Sequence, residues 1–256
     1  QRGMVTKVET NAQYHSNKRH LSSSSVKTIA TRSVYHLLNS SPYRETEDMM
    51  LGTAIHAKML EPKSFDETYV VMVPFNGTTR EGKAIKADYV KNESDGKILL
   101  KANHGDIITG LYNSAQKNEL AMSYMQGEIE LSHYSEFMGV PVKVRPDVKG
   151  KDFLSDIKTC QDASPKAFRY DVYKYKWHIQ AAFYCAVLGY TMDQFKFIAM
   201  QKNYPYDVVV YTLSEQMQQE GYDLMTEAVR KWCIYLETGE AEYYDWPKYN
   251  DGSFIL

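Results

Sequence analysis

The sequence predicts an α/β domain with a helical N-terminal part, on three observations. Hydrophobic periodicity is mostly helical as far as residue 124 and switches to a period of two from Glu128. A helical stretch over about 165–188 separates two sets of strand-like runs, 128–160 and 195–213. A long helical period over about 214–237 then closes the fold. No internal repeat or convincing linker interrupts the chain, so 21–240 is read as one domain, between an irregular segment 1–20 and a tail 241–256.

The chain has 256 residues, enough for a sizeable core. A hydrophobic share of 43% and a charged share of 24% are those of an ordinary soluble globular protein. The 21 tyrosines suit extensive half-wet surfaces, since tyrosine joins an apolar body to a polar tip. No apolar run approaches the roughly 20 residues needed to span a bilayer, and the polar N-terminus does not read as a signal peptide. Gln1-Arg2-Gly3 precede a Met and are set aside from fold reasoning. Cys160, Cys185 and Cys233 are odd in number and scattered, which argues for a reducing compartment and against a disulfide framework or zinc site. A net charge of -2 does not advertise a nucleic-acid binder, although a basic channel can be offset by acidic surface elsewhere.

In chain order, Ser22 to Ser25 offer N-caps for a helix with Val26, Ile29, Ala30, Val34, Leu37 and Leu38 on one stripe, ended by Asn39-Ser40-Ser41-Pro42. The same hydroxyls, with Lys27 and Arg32, could hold a phosphate, although plain capping explains them as well. A second helix covers about 48–60 and stops at Glu61-Pro62. Gly52 and His56 are four apart on one face of it. Gly52 costs about 1 kcal/mol in a helix, which close packing or a ligand would explain. Residues 63–80 read as an extended excursion, followed by helices at 81–93 and 104–124. Glu128–Met138, Val140–Val148 and Phe153–Cys160 read as three antiparallel strands with tight connections at Gly139 and at 149–152. The 165–188 helix is capped by Ser164, begun by Pro165 and stopped by Gly189. Strands 195–201 and 207–213 flank Asn203-Tyr204-Pro205-Tyr206, and the last helix ends at Thr238-Gly239.

The chemistry gathers at 142–159, VKVRPDVKGKDFLSDIKT. Asp156 and Lys158 are two apart and leave the same face of a strand. With 149–152 as the loop, Val148 pairs with Phe153 and Asp147 with Leu154. Asp147 then shares the face of Asp156 and Lys158, its Cβ roughly 7–8 Å from that of Asp156. Two such carboxylates can reach one cation, and Mg²⁺ or Mn²⁺ prefers oxygen ligands of this kind. The cation would polarise a phosphoryl oxygen, with Lys158 stabilising charge beside it. Taken alone, the pattern also fits a solvated surface hairpin. Pro146 within an apparent strand implies a bulge or edge beside Asp147. Gln180 and Tyr184 share a helix face, and KAFRYDVYKYKW (166–177) interleaves basic and aromatic side chains, as phosphate contact and base stacking require. A solvated basic helix face would read the same way. His56 could supply an imidazole to the metal or could simply pack.

Taken in order, GTAIHAKMLEP (52–62), VRPD (144–147), SDIKT (155–159) and QAAFY (180–184) resemble the PD-(D/E)XK nucleases, in the branch of RecB-type nuclease domains, Cas4 and phage recombination exonucleases. The Ser-rich helix and YPYDVVVY (204–211) extend the resemblance to the RecE-like, exodeoxyribonuclease VIII-like group, over about 21–236. It implies a restriction-endonuclease-like core with a central mixed β-sheet flanked by helices. It also implies that His56, Asp147, Asp156 and the carbonyl of Ile157 bind the metal and that Lys158 is catalytic. Gln180 and Tyr184 would orient the lysine and the scissile phosphate, and Ser22, Arg32, Arg145 and Thr159 would touch DNA. The expected activity is Mg²⁺-dependent exonucleolysis of duplex ends, 5′→3′, leaving a 3′ single strand for an annealing protein. A ring-shaped homo-oligomer, trimer or tetramer, in bacterial or phage-infected cytoplasm is implied, with no membrane. Two alternatives stay open: a Cas4-like or structure-specific nuclease for single strands or flaps, and an inert DNA-binding scaffold. The overall acidity departs from what a polyanion-binding family leads one to expect.

Overall fold

A computed structural model describes residues 3–41, 46–241 and 243–255. Pro42, expected to end the first helix, lies outside them. Strand β1 (Val5–Lys7) and helix α1 (Asn11–Ser16) give the segment expected to be irregular a structure of its own, with Thr10 and Gln13 forming a capping box. The expected first helix is two, α2 (Ser23–Thr31) and α3 (Val34–Leu38), because Ser33 turns fully extended and caps the second piece. Helix α4 (Glu47–Leu60) is capped by Thr46 and ends as expected at Glu61.

The 63–80 stretch is not extended throughout. Pro62 opens helix α5 (Pro62–Thr68), and β2 (Tyr69–Val71) follows. Next come α6 (Arg80–Ser94), β3 (Ile98–Leu100), α7 (Ala102–Gln116) and α8 (Glu119–Ser123), with Asn118 capping the last and so dividing the 104–124 helix.

The first two strand-like runs each break once. The first divides into β4 (Glu128–Ile129) and β5 (Ser132–Phe137), where Glu130 takes a positive φ of 45°. The second divides at Arg145-Pro146-Asp147 into β6 (Val140–Val144) and β7 (Val148–Lys149). Met138 and Gly139 both have positive φ, the geometry of a two-residue hairpin turn that matches strand twist. Strand β8 (Leu154–Cys160) leads to α9 (Pro165–Tyr175) and α10 (Trp177–Leu188). The single helix expected there is broken by Lys176, whose φ of 57° is left-handed. Strands β9 (Phe195–Gln201) and β10 (Val208–Tyr211) and helix α11 (Glu215–Thr238), capped by Ser214 and Gly239, complete the chain as expected.

Among the described residues, the central sheet has the order β10-β9-β8-β7-β4, with β8 and β9 parallel and the other pairs antiparallel. A second sheet is ordered β1-β5-β6, and β2 pairs with β3. Alternation along β8 and β9 feeds two cores. Leu154, Cys160, Phe195, Phe197 and Ala199 pack under α2, α9, α10 and α11. Ile157, Ile198 and Met200 pack on the opposite face against α4 and α7. No helix among the described residues is long and apolar enough to cross a membrane.

Candidate active site at the open edge of the central sheet

The site begins with an interruption. Pro146 has no N–H to give a ladder, so β6 ends at Val144 and pairing resumes only at Val148. The interruption is held from two sides. The Tyr184 hydroxyl donates to the Arg145 carbonyl (3.2 Å), and the Glu130 N–H donates to the Asp147 carbonyl (3.0 Å). Strand β7 is then only two residues long and covers β8 only at Leu154 and Ser155. Beyond Ser155 that edge of β8 is open.

Into this opening Asp147 projects its carboxylate, and its Oδ2 accepts the N–H of Ile157 at 2.7 Å. The N–H and C=O of a strand residue point to the same side, so the Ile157 carbonyl faces the same opening. The register differs from the sequence expectation by two residues. Val148 pairs with Ser155 and Lys149 with Leu154, so the loop is 150–153. A shift of two preserves alternation, which keeps Asp147 beside Asp156.

Asp156 and Lys158 emerge together on the α10 side, as two-residue spacing requires. Lys158 Nζ lies 2.5 Å from Asp156 Oδ2. Gln180 on α10 bridges them, donating from Nε2 to Asp156 Oδ1 (2.7 Å) and accepting from Lys158 Nζ at Oε1 (3.1 Å). The Lys158 ammonium also sits 5.3 Å from the centre of the Trp177 ring. Left-handed Lys176 makes this possible, since it restarts the helix with Trp177 turned toward the sheet.

From the opposite face α4 brings His56, whose Nδ1 is 3.4 Å from Asp147 Oδ2. Gly52, one turn earlier, lies beside Thr159. A Cβ there would meet Thr159 Oγ1 at an ordinary 3.9 Å, so packing within the chain does not require glycine. Burial, and then the charge of Asp156, push the Asp147 carboxyl up to about 7, against the pull of His56 and Lys158. Burial and the two aspartates raise the Tyr184 phenol as well.

The remaining expected residues divide. Tyr184 secures the Arg145 carbonyl and makes no contact with Lys158, which is held by Gln180, Asp156 and Trp177. Arg145 is tied to Glu130 at 3.1 Å, which directs its guanidinium into an ion pair. The Ser22 hydroxyl caps α2 through the Ser25 N–H, as the plain reading had it. Arg32 is exposed at the α2–α3 break. The sequence did not single out Lys27 for this site. It is half-buried and close enough to feel both Lys158 and Asp156, with its ammonium pushed down to about 8, chiefly by burial. Nothing in local spacing announces that proximity.

The donors suit a hard divalent cation: two carboxylates, an imidazole and a strand-edge carbonyl. Asp156 Oδ2 is buried and makes no hydrogen bond of good geometry, despite the nearness of Lys158. The raised Asp147 likewise marks negative charge short of compensation. Among the described residues, however, no three His, Cys, Asp or Glu side chains already converge at coordinating distance.

Residues 21–242 match a PDDEXK-like domain of unknown function, DUF3799. The chain belongs to this family. A crystal structure from Eubacterium rectale, of a protein described as a candidate exonuclease, superposes with a TM-score of 0.61 over 98% of this chain and 95% of that one. Identity is 16%, so the likeness is one of fold. A second solved structure, SSO0001, covers 88% of this chain and 90% of its own at 13% identity, and its TM-score of 0.33 carries no argument. No curated protein matches the chain.

Proposed function

We propose that this DUF3799 domain is a divalent-metal-dependent DNA exonuclease. The observation that carries the reading is the buried Asp156–Lys158–Gln180 triangle facing Asp147 across an open strand edge. His56, Asp147, Asp156 and the Ile157 carbonyl would hold Mg²⁺, with Mn²⁺ as a substitute. When bound, the cation would supply Lewis-acid polarisation of a phosphoryl oxygen and a more acidic water.

The chain's own groups do the rest. Lys158 neutralises charge that develops on the phosphoryl oxygens as the phosphodiester is attacked. Gln180 holds both Lys158 and Asp156, and would keep the Lys158 ammonium in place if Asp156 served as a ligand to a cation. Trp177 limits the directions the ammonium can take and excludes water from one side. Tyr184 fixes the Arg145 carbonyl and through it the position of Asp147.

The finer reading rests on the RecE-like motifs. It is 5′→3′ digestion of duplex ends, leaving a 3′ strand for an annealing protein, by a trimeric or tetrameric ring in bacterial or phage-infected cytoplasm. A ring would keep hold of DNA by topology, which tolerates a net charge of -2. End-labelled linear duplex, digested with Mg²⁺ and with EDTA, tests both levels. The expected result is stepwise loss of the 5′ label with Mg²⁺ and none with EDTA. Equal digestion in EDTA would end the metal reading, and first loss of a 3′ label would reverse the polarity. Processive digestion by a species that sediments as a monomer would remove the ring.

A further inference from the structure

One groove lies beside the proposed centre without belonging to it. It runs between α2 and the end of α9, encloses about 450 Å³, and is lined by Ser24, Lys27, Thr28, Lys174, Tyr175 and Lys176. Three cations share it in a chain with 30 basic and 32 acidic residues. Among the described residues, none of the three is in an ion pair. The Thr28 hydroxyl donates to the Ser24 carbonyl (3.0 Å) and the Ser24 hydroxyl pairs with that of Ser22 (2.9 Å), so the lysines are the donors that face an anion.

Two of the groove's lining residues link it to the centre. Lys27 lines it and is within electrostatic reach of Lys158 and Asp156. Tyr175 stacks on Trp177 at 5.2 Å and 25°, and Trp177 in turn lies under Lys158. Tyr175 is 47% exposed, with Lys174 Nζ 4.9 Å from its ring centre. Its stack on Trp177 sets the ring's orientation, and a stacked base would take the place of Lys174 over it.

We infer that this groove binds a single DNA strand at the nucleotides next to the scissile bond, with Lys27, Lys174 and Lys176 on successive phosphates and a base stacked on Tyr175. A single strand is favoured over duplex on two grounds. Stacking on Tyr175 needs a base face that pairing hides, and the cleft is too small for a double helix. The strand's location deepens the nuclease reading and rests on it, but strand binding can be measured without cleavage.

The experiment is fluorescence anisotropy of a labelled single-stranded oligonucleotide in EDTA, over a salt series. The wild-type protein is compared with the double variant Lys174→Gln/Lys176→Asn, in which Asn accepts the left-handed backbone at 176. Loss of two phosphate contacts should reduce the slope of log affinity against log salt by about 1.4 and weaken binding at least tenfold at low salt. Tyr175→Ala should weaken binding about fivefold or more with the slope unchanged, because stacking releases no counterions. Thermal melts of each variant confirm folding. A wild-type affinity and slope in the double variant would overturn the inference, as would absence of single-strand binding by the wild type. Loss confined to duplex binding would overturn the single-strand assignment. If the groove variants behave as expected while Lys158→Ala cleaves at the wild-type rate, the strand site stands and the catalytic assignment falls.

Discussion

Strands β8 and β9 lie side by side in parallel register, yet one carries the charged side chains of the proposed centre and the other only packing. Asp156 sits opposite Phe197, and Lys158 opposite Ala199. All four point to the same face, beneath α10. The difference lies in what flanks each strand. β9 is paired on both sides, with β8 and β10, so its side chains meet only other side chains. β8 loses its second neighbour after Ser155, because Pro146 delays β7, and polar groups there can reach an opening. Charge is tolerable on a central strand where the sheet stops beside it.

The largest effect expected from breaking this contrast is on the packing side. Phe197 is fully buried, and Phe197→Ala should cost about 3–5 kcal/mol in urea unfolding, with activity falling only as the folded fraction falls. Lys158→Ala should do the opposite. Cleavage should drop on the order of 10²–10³-fold while the protein that remains folded still binds DNA. Cleavage at the wild-type rate would remove Lys158 from the mechanism.

Gln180→Leu sharpens the comparison further, since it keeps the helix and removes both hydrogen bonds to the pair. It should lower kcat roughly tenfold with little change in KM, the mark of a positioning residue whose charged partner has lost its tether. A change in KM alone would make Gln180 a substrate contact. Mn²⁺ should raise the melting temperature of the wild type by mass action and leave that of Asp156→Ala unmoved. Equal shifts in both would place the ion elsewhere.

The smallest effect is a pH dependence. Asp147 is pushed up to about 7 by burial and by Asp156. Folded protein therefore holds more protons than unfolded protein from about pH 4 upward, where a free aspartic acid has already ionised. Its contribution to stability is full below about pH 4 and is lost as pH rises through 7. In EDTA the melting temperature should fall over that window, and Asp147→Asn should flatten the fall. An unchanged slope in that variant would assign the titration to another group.

How far the sequence reached follows from which forces are local. Alternation alone put Asp156 and Lys158 on one face, and Gly239 ended the last helix, because capping and side-chain period depend on near neighbours. Pro146 announced its break for the same reason, since it lacks the N–H a ladder needs. The loop register was off by two residues and still preserved the site, because strand faces repeat every two. Tertiary structure decided the rest. It split the 165–188 helix at Lys176, where turning Trp177 and α10 onto the sheet outweighs the modest cost of one left-handed residue. It assigned Tyr184 to a backbone carbonyl and Gln180 to the lysine. It also carried Lys27 to within reach of Lys158, across 131 positions of sequence, through the packing of α2 on α10, a long-range juxtaposition that no local pattern encodes.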